Sequence, residues 1–461
     1  MAEIYNFALN NRDLRRFDSI RITTMAGAVK DPAQQQSPEQ AHHASSAASP
    51  LSASLTCIET LLPPLDHIAG TDTDTDSESA LVYRTSQTAW QCTFSMDGTW
   101  LAVCYGSPNP CVRIWKHHPS SNQEDASQDA SSWILQKTLS GIHQRTIRSI
   151  DFAPIRSPVT LACASFDGTV TLWEHSSSNN NNNNDDDGEW DCTAQLEGHE
   201  SEVKCVTWNA TGSLLATCGR DKTVWIWECF LPGSIGGPAP TDHDFGSGSE
   251  LECLAVLNGH EADVKTVKFA ASHGQWGDGD EILLSASYDD TIRIWAEDAG
   301  DWYCASLLSN VHTSTIWTLA VAPSSSRLIS GSDDGSLAIY KCYTAEETKE
   351  RFPDEQNGSN GTWKCVGKLP DAHAMTVYSV DYASARCGHG RVVSGGADNR
   401  IQVYREARES KTDKPLFFLD ASVKSPHGDV NCVCWHPWDG SILASAGDDG
   451  AVRLWRYRSA P

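Results

Sequence analysis

The chain has 461 residues, and its 60 acidic side chains outnumber its 35 basic ones to give a net charge of −25. This balance argues against duplex DNA and anionic membranes as main partners, because proteins that bind them usually carry a basic surface. No apolar run approaches the roughly 20 residues of a membrane-spanning helix, and the start lacks a secretory signal pattern. We therefore expect a cytoplasmic protein whose 16 cysteines stay reduced.

Residues 1–50 show no hydrophobic periodicity, and we expect a disordered N-terminal extension there. Residues 51–461 carry a repeated unit, in which an opening His is followed by an Asp turn and, six positions after the Asp, by an aromatic residue. The closing aromatics define seven units and are Trp115, Trp173, Trp227, Trp295, Tyr340, Tyr404 and Trp455. The turn residues are Asn109, Asp167, Asp221, Asp289, Asp334, Asp398 and Asp449. The opening residues are His143, His199, His260, His312, His373 and His427.

Within each unit, apolar and polar residues alternate over short segments rich in β-branched and aromatic side chains, which predicts strands. One four-stranded sheet cannot bury both faces, whereas a ring of such sheets buries each face against a neighbour. The sequence resembles the WD40 β-propellers, and the resemblance covers roughly residues 52–457. We therefore predict an all-β, seven-bladed propeller. The last unit lacks room for its fourth strand, so Leu55–Leu62 is expected to supply it and to close the ring.

Insertions distinguish the two faces of the predicted ring. They fall at 116–132, 174–190, 228–250, 271–281 and 341–362, all in connections expected on one side, here called the insertion-rich face. The Asn/Asp-rich run 179–187 and the Gly/Pro/Ser-rich stretch 231–250 are typical of disordered loops. The opposite side, here called the compact face, carries the short His approaches and Asp turns. It is the better candidate for a binding surface, because insertions accumulate where binding tolerates them.

His199, Thr217, Asp221 and Trp227 have the composition of a catalytic triad with an added indole, but the same set recurs in other units. The WD40 resemblance implies that such sets form buried hydrogen-bond networks that tie a turn to its strands. Equivalent sets are His260, Ser285, Asp289 and Trp295, and His427, Ser445, Asp449 and Trp455. Shorter networks are expected where the third member is Cys163 or where the unit closes with Tyr340 or Tyr404. The first unit has Asn109 and no His.

No cofactor, metal site or catalytic set is predicted. Phosphate-binding glycine loops and Cys-x-x-Cys pairs are missing from the sequence. Cys432 and Cys434 lie two positions apart on one strand face, and packing between sheets is a better interpretation of them than metal ligation.

A basic sector is predicted on the compact face, from the second unit to the fourth, and aromatic residues accompany it. Such a sector suits a peptide with a carboxylate and an aromatic anchor. Arg220 is the unusual member, since it stands where the turn Asp is normally preceded by Asp or Gly. The predicted partner-binding residues are Arg148, Lys204, Arg220, Lys265, Tyr288, Trp317 and Tyr378.

Several stretches are similar to one WD40 branch, among them His143–Arg148, Leu214–Glu228 and Asp429–Trp435. They resemble the WD40 subunit of the cytosolic iron–sulfur protein assembly (CIA) machinery. The resemblance implies a scaffold that is not an enzyme and that helps to deliver clusters to cytosolic and nuclear apo-proteins. It also implies partners, namely a HEAT-repeat adaptor, a small acidic adaptor and an iron-only-hydrogenase-like cluster carrier. The alternative is a generic WD40 adaptor in ubiquitin ligation or chromatin.

Overall fold

The computed structural model describes residues 53–62, 87–118, 132–155, 158–176, 188–232, 249–353, 361–388, 390–407 and 415–459. These residues form seven four-stranded antiparallel sheets, which are the blades of a β-propeller. The predicted fold class is therefore confirmed. The proposed disordered extension at 1–50 and the run 179–187 lie outside the described residues, as does most of the stretch 231–250.

Each blade is a meander of consecutive strands, numbered from the innermost to the outermost. Blade 1 contains β2 (Ala89–Phe94), β3 (Trp100–Tyr105), β4 (Cys111–His117) and β5 (Trp133–Ser140). Blade 2 contains β6 (Ile147–Phe152), β7 (Val159–Ser165), β8 (Val170–Ser176) and β9 (Glu189–Leu196). Blade 3 contains β10 (Val203–Trp208), β11 (Leu214–Gly219), β12 (Val224–Phe230) and β13 (Glu250–Leu257). Blade 4 contains β14 (Val264–Ala271), β15 (Glu281–Ser287), β16 (Ile292–Asp298) and β17 (Asp301–Leu308).

The remaining blades follow the same order. Blade 5 contains β18 (Ile316–Val321), β19 (Arg327–Ser332), β20 (Leu337–Tyr343) and β21 (Thr362–Lys368). Blade 6 contains β22 (Val377–Tyr382), β23 (Arg391–Gly396), β24 (Arg400–Glu406) and β25 (Phe417–Lys424). Blade 7 contains β26 (Val430–Trp435), β27 (Ile442–Gly447) and β28 (Val452–Arg458), and its outermost strand is β1 (Ser54–Leu61).

The predicted closure of the ring is confirmed by the pairing of β1 with β28. Cys57 lies opposite Trp455, and Leu61 lies opposite Val452, so the two ends of the repeat domain share one sheet. This pairing removes the open edge that blade 7 would otherwise present to solvent. It also makes the seventh blade the one sheet whose strands come from distant parts of the chain.

The hydrophobic core is divided among the seams between neighbouring blades. At the seam of blades 1 and 2, for example, Ile114 packs with Leu161 and Trp173. The inner strands also exchange hydrogen bonds across seams. The backbone N–H of Val206 donates to Ser149 Oγ at 3.2 Å, and that of Val380 donates to Thr318 Oγ1 at 3.1 Å. Apolar packing and polar side chains therefore hold the ring together at the same seams.

Every inner strand contains a bulge at its second residue. The register skips that residue, which leaves it without a partner on the neighbouring strand. A bulge bends the strand locally and changes the direction of the side chain. The bulged residues are Trp90, Arg148, Lys204, Lys265, Trp317, Tyr378 and Asn431.

Two of the predicted insertions contain ordered structure that the sequence analysis did not predict. In 341–362, helix α1 (Ala345–Arg351) begins with a capping box formed by Thr344 and Glu347. In 271–281, Trp276 is buried in the core of blades 4 and 5. Gln275 accepts a hydrogen bond from the N–H of Ala345 at 2.8 Å, so these two connections meet on the insertion-rich face.

Candidate functional site

The bulged residues surround one mouth of the central channel, at the compact face. The channel has a volume of about 440 Å³, and all seven bulged side chains contribute to its lining. Arg148, Lys204, Lys265, Trp317 and Tyr378 were predicted to bind a partner, and the structure brings them to one opening. Arg220 and Tyr288 lie in the turns of blades 3 and 4 beside it.

Glu202 is the centre of the basic group on blades 2 and 3. Its carboxylate lies 2.5 Å from Lys204 Nζ, 2.7 Å from Arg145 Nη2 and 3.5 Å from Arg220 Nη1. Burial raises the pKa of Glu202, but the hydrogen bonds from Lys204 and Arg145 outweigh burial and hold it at about 2. One carboxylate therefore gathers three cations, and the group keeps a positive charge of about two.

The three cations differ in how they meet solvent. The side chains of Arg220 and Arg145 are 60% and 54% exposed, whereas that of Lys204 is 12% exposed. Lys204 Nζ lies 4.0 Å from the ring centroid of Phe166, which is a cation–π contact. The two arginines thus present much of their side chains to solvent, while Lys204 is held in the mouth.

Lys265 extends the basic group into blade 4. Its ammonium lies 5.0 Å from the ring centroid of Tyr288 and 4.6 Å from that of Trp317, and it is 3.8 Å from Asp263. Burial and, next, the charge of Lys204 lower the pKa of Lys265. A carboxylate from a partner would relieve this repulsion, so the site favours an incoming anion.

Aromatic rings continue around the mouth on either side. Trp317 meets Tyr378 edge to face at 5.6 Å between centroids, and the Arg148 guanidinium lies 5.2 Å from the Trp90 ring. Tyr288 is an exposed large side chain next to them. The cations of blades 2 to 4 are flanked by aromatic rings on either side, an arrangement that suits acidic and aromatic groups of a peptide.

The compact face changes sign across the channel. Asp333 and Asp448 are exposed on blades 5 and 7, and Asp429 lies beside them. Burial, followed by the charge of Asp448, raises the pKa of Asp429. The face is therefore basic on blades 2 to 4 and carries acidic groups on blades 5 and 7, which orients any charged partner.

The structural networks lie behind this surface. In blade 3, His199 Nδ1 lies 2.7 Å from Asp221 Oδ2, and His199 Nε2 lies 2.9 Å from Thr217 Oγ1. Trp227 Nε1 donates to the same Thr217 oxygen at 3.1 Å. All four residues are thus joined in one chain of hydrogen bonds.

Blades 4 and 7 repeat this arrangement. In blade 4, His260 lies between Asp289 (2.8 Å) and Ser285 (2.7 Å), and Trp295 donates to Ser285 at 2.8 Å. In blade 7, the corresponding contacts join His427 to Asp449 (2.8 Å) and to Ser445 (2.7 Å), and Trp455 donates to Ser445 at 2.8 Å.

The expectation of a shorter network in blade 2 is wrong. Thr171 of β8 takes the place of the hydroxyl that Cys163 of β7 lacks, with His143 Nε2 at 2.9 Å and Trp173 Nε1 at 3.0 Å. The two positions are cross-strand partners in the same sheet, so either one can present a hydroxyl to the same point.

The other degenerate blades differ from one another. In blade 5, Ser330 Oγ lies 3.5 Å from the hydroxyl of Tyr340, at the limit of a hydrogen bond. In blade 6, the hydroxyl of Tyr404 donates to Gln402 instead. In blade 1, Gln87 takes the place of the His and donates to the carbonyl oxygens of Gly106 and Asn109.

Deeper in the channel, Asp151 of blade 2 and Asp381 of blade 6 face Lys268 of blade 4. Burial raises the pKa of Asp381 to about 6, although the N–H of Trp435 donates to it at 2.7 Å. Burial lowers the pKa of Lys268, but the charges of Asp151, Asp381 and other neighbouring groups together outweigh burial and leave that pKa raised. This group couples three blades electrostatically.

The sequence analysis missed Glu202 and Arg145. A signal was present for Glu202, because it lies two positions before Lys204 in an extended segment, and i and i+2 side chains share one side of a strand. Arg145 gave no comparable signal, since its contact with Glu202 crosses from blade 2 to blade 3.

Among the described residues, no group of three or more His, Cys, Asp or Glu side chains has the arrangement of a metal site. The same part of the chain contains no helix with the length and apolar character needed to cross a membrane.

Comparison with known proteins identifies both the repeat and its relatives. The family described as WD domain, G-beta repeat, matches residues 190–228, 251–296, 304–341 and 420–456. A probable cytosolic iron-sulfur protein assembly protein 1 of Candida dubliniensis is 37% identical, and the alignment covers 70% of this chain and 87% of that protein. The protein of the same name in Debaryomyces hansenii is 34% identical, and the alignment covers 70% of this chain and 87% of that protein. That of Botryotinia fuckeliana is 29% identical, and the alignment covers 76% of this chain and 95% of that protein.

Proposed function

Because the chain belongs to the family of the WD40 protein named cytosolic iron-sulfur protein assembly protein 1, we propose that it is a non-catalytic scaffold of the CIA machinery. In this role it helps to transfer iron–sulfur clusters to apo-proteins of the cytosol and nucleus. The cluster is cargo that passes between its partners. Nothing in the fold or in the relatives favours the alternative of a generic adaptor for ubiquitin ligation or chromatin.

One observation carries the assignment of the binding surface, namely the group of cations around Glu202. Three cations share one carboxylate, and two of them, Arg145 and Arg220, are more than half exposed. In a chain of net charge −25, such a group is a focused attraction for an acidic partner. Arg220 engages a partner carboxylate bidentately, and Lys265, Trp317 and Tyr288 form the adjoining part of the surface.

We infer that the partners are a HEAT-repeat adaptor, a small acidic adaptor, an iron-only-hydrogenase-like cluster carrier and apo iron–sulfur proteins. The small acidic adaptor and acidic segments of clients fit the basic side of the compact face. Arg148, Lys204 and Tyr378 complete the set of proposed binding residues. We propose that the protein acts in the nucleus as well as in the cytoplasm.

Capture of partners by charge-reversed variants tests the binding surface. Arg220→Glu should reduce the recovery of CIA adaptors at least tenfold, because one exchange removes a bidentate donor and adds a repelling carboxylate. Arg400→Glu is the matched control. Arg400 is an exposed residue of the equivalent turn in blade 6, where its Nη1 donates to Ser422 at 3.2 Å.

The two variants should retain the melting temperature of the parent protein, since exposed ion pairs contribute little to stability. Equal recovery of adaptors by Arg220→Glu and by Arg400→Glu would show that the binding surface does not include the basic group. Loss of recovery together with a lower melting temperature would instead indicate a structural role for Arg220.

Depletion of the protein tests the cellular role. Cytosolic and nuclear iron–sulfur enzymes should lose activity, and mitochondrial ones should keep it. Normal cluster loading of a cytosolic iron–sulfur enzyme after depletion would contradict the assignment. Re-expression of the Arg400→Glu variant should restore activity, whereas re-expression of Arg220→Glu should not.

A further inference from the structure

Three thiols meet at the seam where blade 7 joins blade 1. Cys92 lies on β2, and Cys432 and Cys434 lie on β26. The Sγ atoms of Cys92 and Cys434 are 3.7 Å apart, and Cys432 Sγ donates to the carbonyl oxygen of Cys92 at 3.5 Å. All three residues contribute to the lining of the central channel.

We propose that Cys92 and Cys434 are a redox modification site, at which a small peroxide entering the channel forms a disulfide between blades 1 and 7. A disulfide has an S–S bond of about 2 Å, so the two sulfurs must approach by less than 2 Å. Rotation about the side-chain bonds covers this distance, because each thiol lies at the end of a short side chain. No strand has to separate from its sheet.

The reaction balances with hydrogen peroxide as the oxidant. The thiolate of one cysteine attacks the peroxide, gains one oxygen as a sulfenic acid and releases hydroxide. The thiolate of the second cysteine attacks that sulfur, forms the S–S bond and releases the oxygen as a second hydroxide. The hydroxides take up the two thiol protons. The sulfurs lose two electrons, and the peroxide is reduced to two molecules of water.

The location distinguishes this pair from the other described cysteines. Cys104 and Cys163 are completely buried in the seam of blades 1 and 2, away from the channel lining. Cys253 and Cys304 are exposed on outer strands, where collision with another molecule is their route to a disulfide. Cys434 is partly exposed and lines the channel, so a small molecule can reach it, and its sulfur contacts that of the buried Cys92.

Disulfide formation should be slow near neutral pH and faster in base. Hydrogen bonds with Cys432 and Cys434, together with burial, raise the pKa of Cys92. Burial also raises the pKa of Cys434, against the hydrogen bond with Cys92 that lowers it. At pH values below these pKa values, the fraction of reactive thiolate therefore grows about tenfold for each unit by which the pH rises.

The consequence of the bond is a second closure of the ring. The outermost strand of blade 7, β1, is joined to β28 by backbone pairing and by the packing of Leu55 and Leu61, without a covalent link, and the neighbouring blade 1 lacks the His-centred network. A covalent link between β2 and β26 closes a very long loop of chain, which restricts the unfolded state. The oxidised protein should therefore resist unfolding better than the reduced protein.

The experiment treats the purified full-length chain with hydrogen peroxide at low protein concentration, blocks the remaining thiols and measures the intact mass and the disulfide-linked peptides. Relative to reduced protein blocked in the same way, we expect two fewer blocked thiols per bond, a linked pair of tryptic peptides 85–113 and 425–453, and reversal by dithiothreitol. Peptide 85–113 also contains Cys104 and Cys111, and peptide 425–453 contains both blade 7 cysteines, so variants must assign the bond.

Cys434→Ser and Cys92→Ser should each abolish the linked peptides, whereas Cys432→Ser, the matched control two residues away, should retain them. Oxidation should raise the melting temperature of the parent protein and of Cys432→Ser by several degrees, and leave that of Cys434→Ser unchanged. Linked peptides that persist in Cys434→Ser and disappear in Cys432→Ser would overturn the assignment. So would a first disulfide between Cys205 and Cys218, the neighbouring thiols of blade 3.

Discussion

Replacement of Asp221 by Ala should destabilise the propeller far more than replacement of Asn109, although both residues occupy the same position in their blades. Asp221 accepts hydrogen bonds from His199, from the backbone N–H groups of Glu200 and Thr223, and from the Thr223 hydroxyl. Ala leaves these donors without their acceptor. Asn109 is exposed, and the bond from Gln87 reaches its backbone carbonyl, which Ala retains.

The magnitude follows from the buried donors. A buried donor that loses its acceptor costs about 1–3 kcal/mol of stability. Some of the donors around Asp221 can bond to water instead, so we expect a total loss of about 3 kcal/mol. With an unfolding entropy of about 2 cal/mol/K per residue, this corresponds to a fall in melting temperature of roughly 3–4 °C for a propeller that unfolds cooperatively. Asn109→Ala should change the free energy of unfolding by less than about 0.5 kcal/mol.

Thermal unfolding of the two variants and of Asp221→Asn, followed by circular dichroism, provides the measurement. Asn keeps an acceptor oxygen, so its melting temperature should lie between those of Asp221→Ala and the parent. Equal melting temperatures for Asp221→Ala and Asn109→Ala would refute the reasoning, because the network in blade 3 would then contribute no more than a solvent-exposed turn.

Three further outcomes are expected. Thr171→Val should lower the free energy of unfolding by about 2–3 kcal/mol, and Cys163→Ala should lower it by roughly 1 kcal/mol, because only the first change leaves an imidazole and an indole unpaired. Equal losses for the two variants, measured by urea unfolding, would contradict the place of Thr171 in the blade 2 network. Glu202→Gln should cost about 1–3 kcal/mol at pH 7. Because the folded-state pKa of Glu202 is lowered to about 2, the Glu202 carboxylate stabilises the fold above its unfolded-state pKa, and this stabilisation disappears as the pH falls. The melting temperatures of the parent and of Glu202→Gln should therefore differ less at pH 3 than at pH 7. The folded-state pKa of Asp381 is raised to about 6, so the parent protein loses stability as the pH rises from about 4 to 6. The melting temperature of Asp381→Asn should therefore rise relative to that of the parent across that interval. A difference that does not depend on pH would contradict the burial of this carboxyl.

The propeller was predictable from the sequence because each blade repeats the same physical requirements. A closing aromatic, a turn Asp and alternating strands recur, so an error in one unit, such as the missing His near Asn109, is corrected by the others. The closure by Leu55–Leu62 was predictable for a similar reason, since an incomplete last sheet requires a fourth strand from elsewhere in the chain.

Features that depend on side-chain geometry were not predictable. The place of Thr171 in the blade 2 network requires knowledge that positions 163 and 171 face each other across two strands. The role of Glu202 depends on the approach of Arg145 from the neighbouring blade. Trp276 lies in an insertion that has a composition typical of a loop, yet its ring is buried. In each case, tertiary contacts decide an outcome that local pattern leaves open.

The bulge in each inner strand separates recognition from folding. The bulged residue has no cross-strand partner, so the register of its sheet does not depend on its side chain. The mouth of the channel is therefore lined by seven positions on a fixed frame, of which Trp90 and Asn431 also contribute to the contacts between blades. A protein engineer could replace the side chains at these positions in combination, for example by libraries at Lys204, Lys265 and Trp317, and obtain new binding specificities without redesigning the propeller.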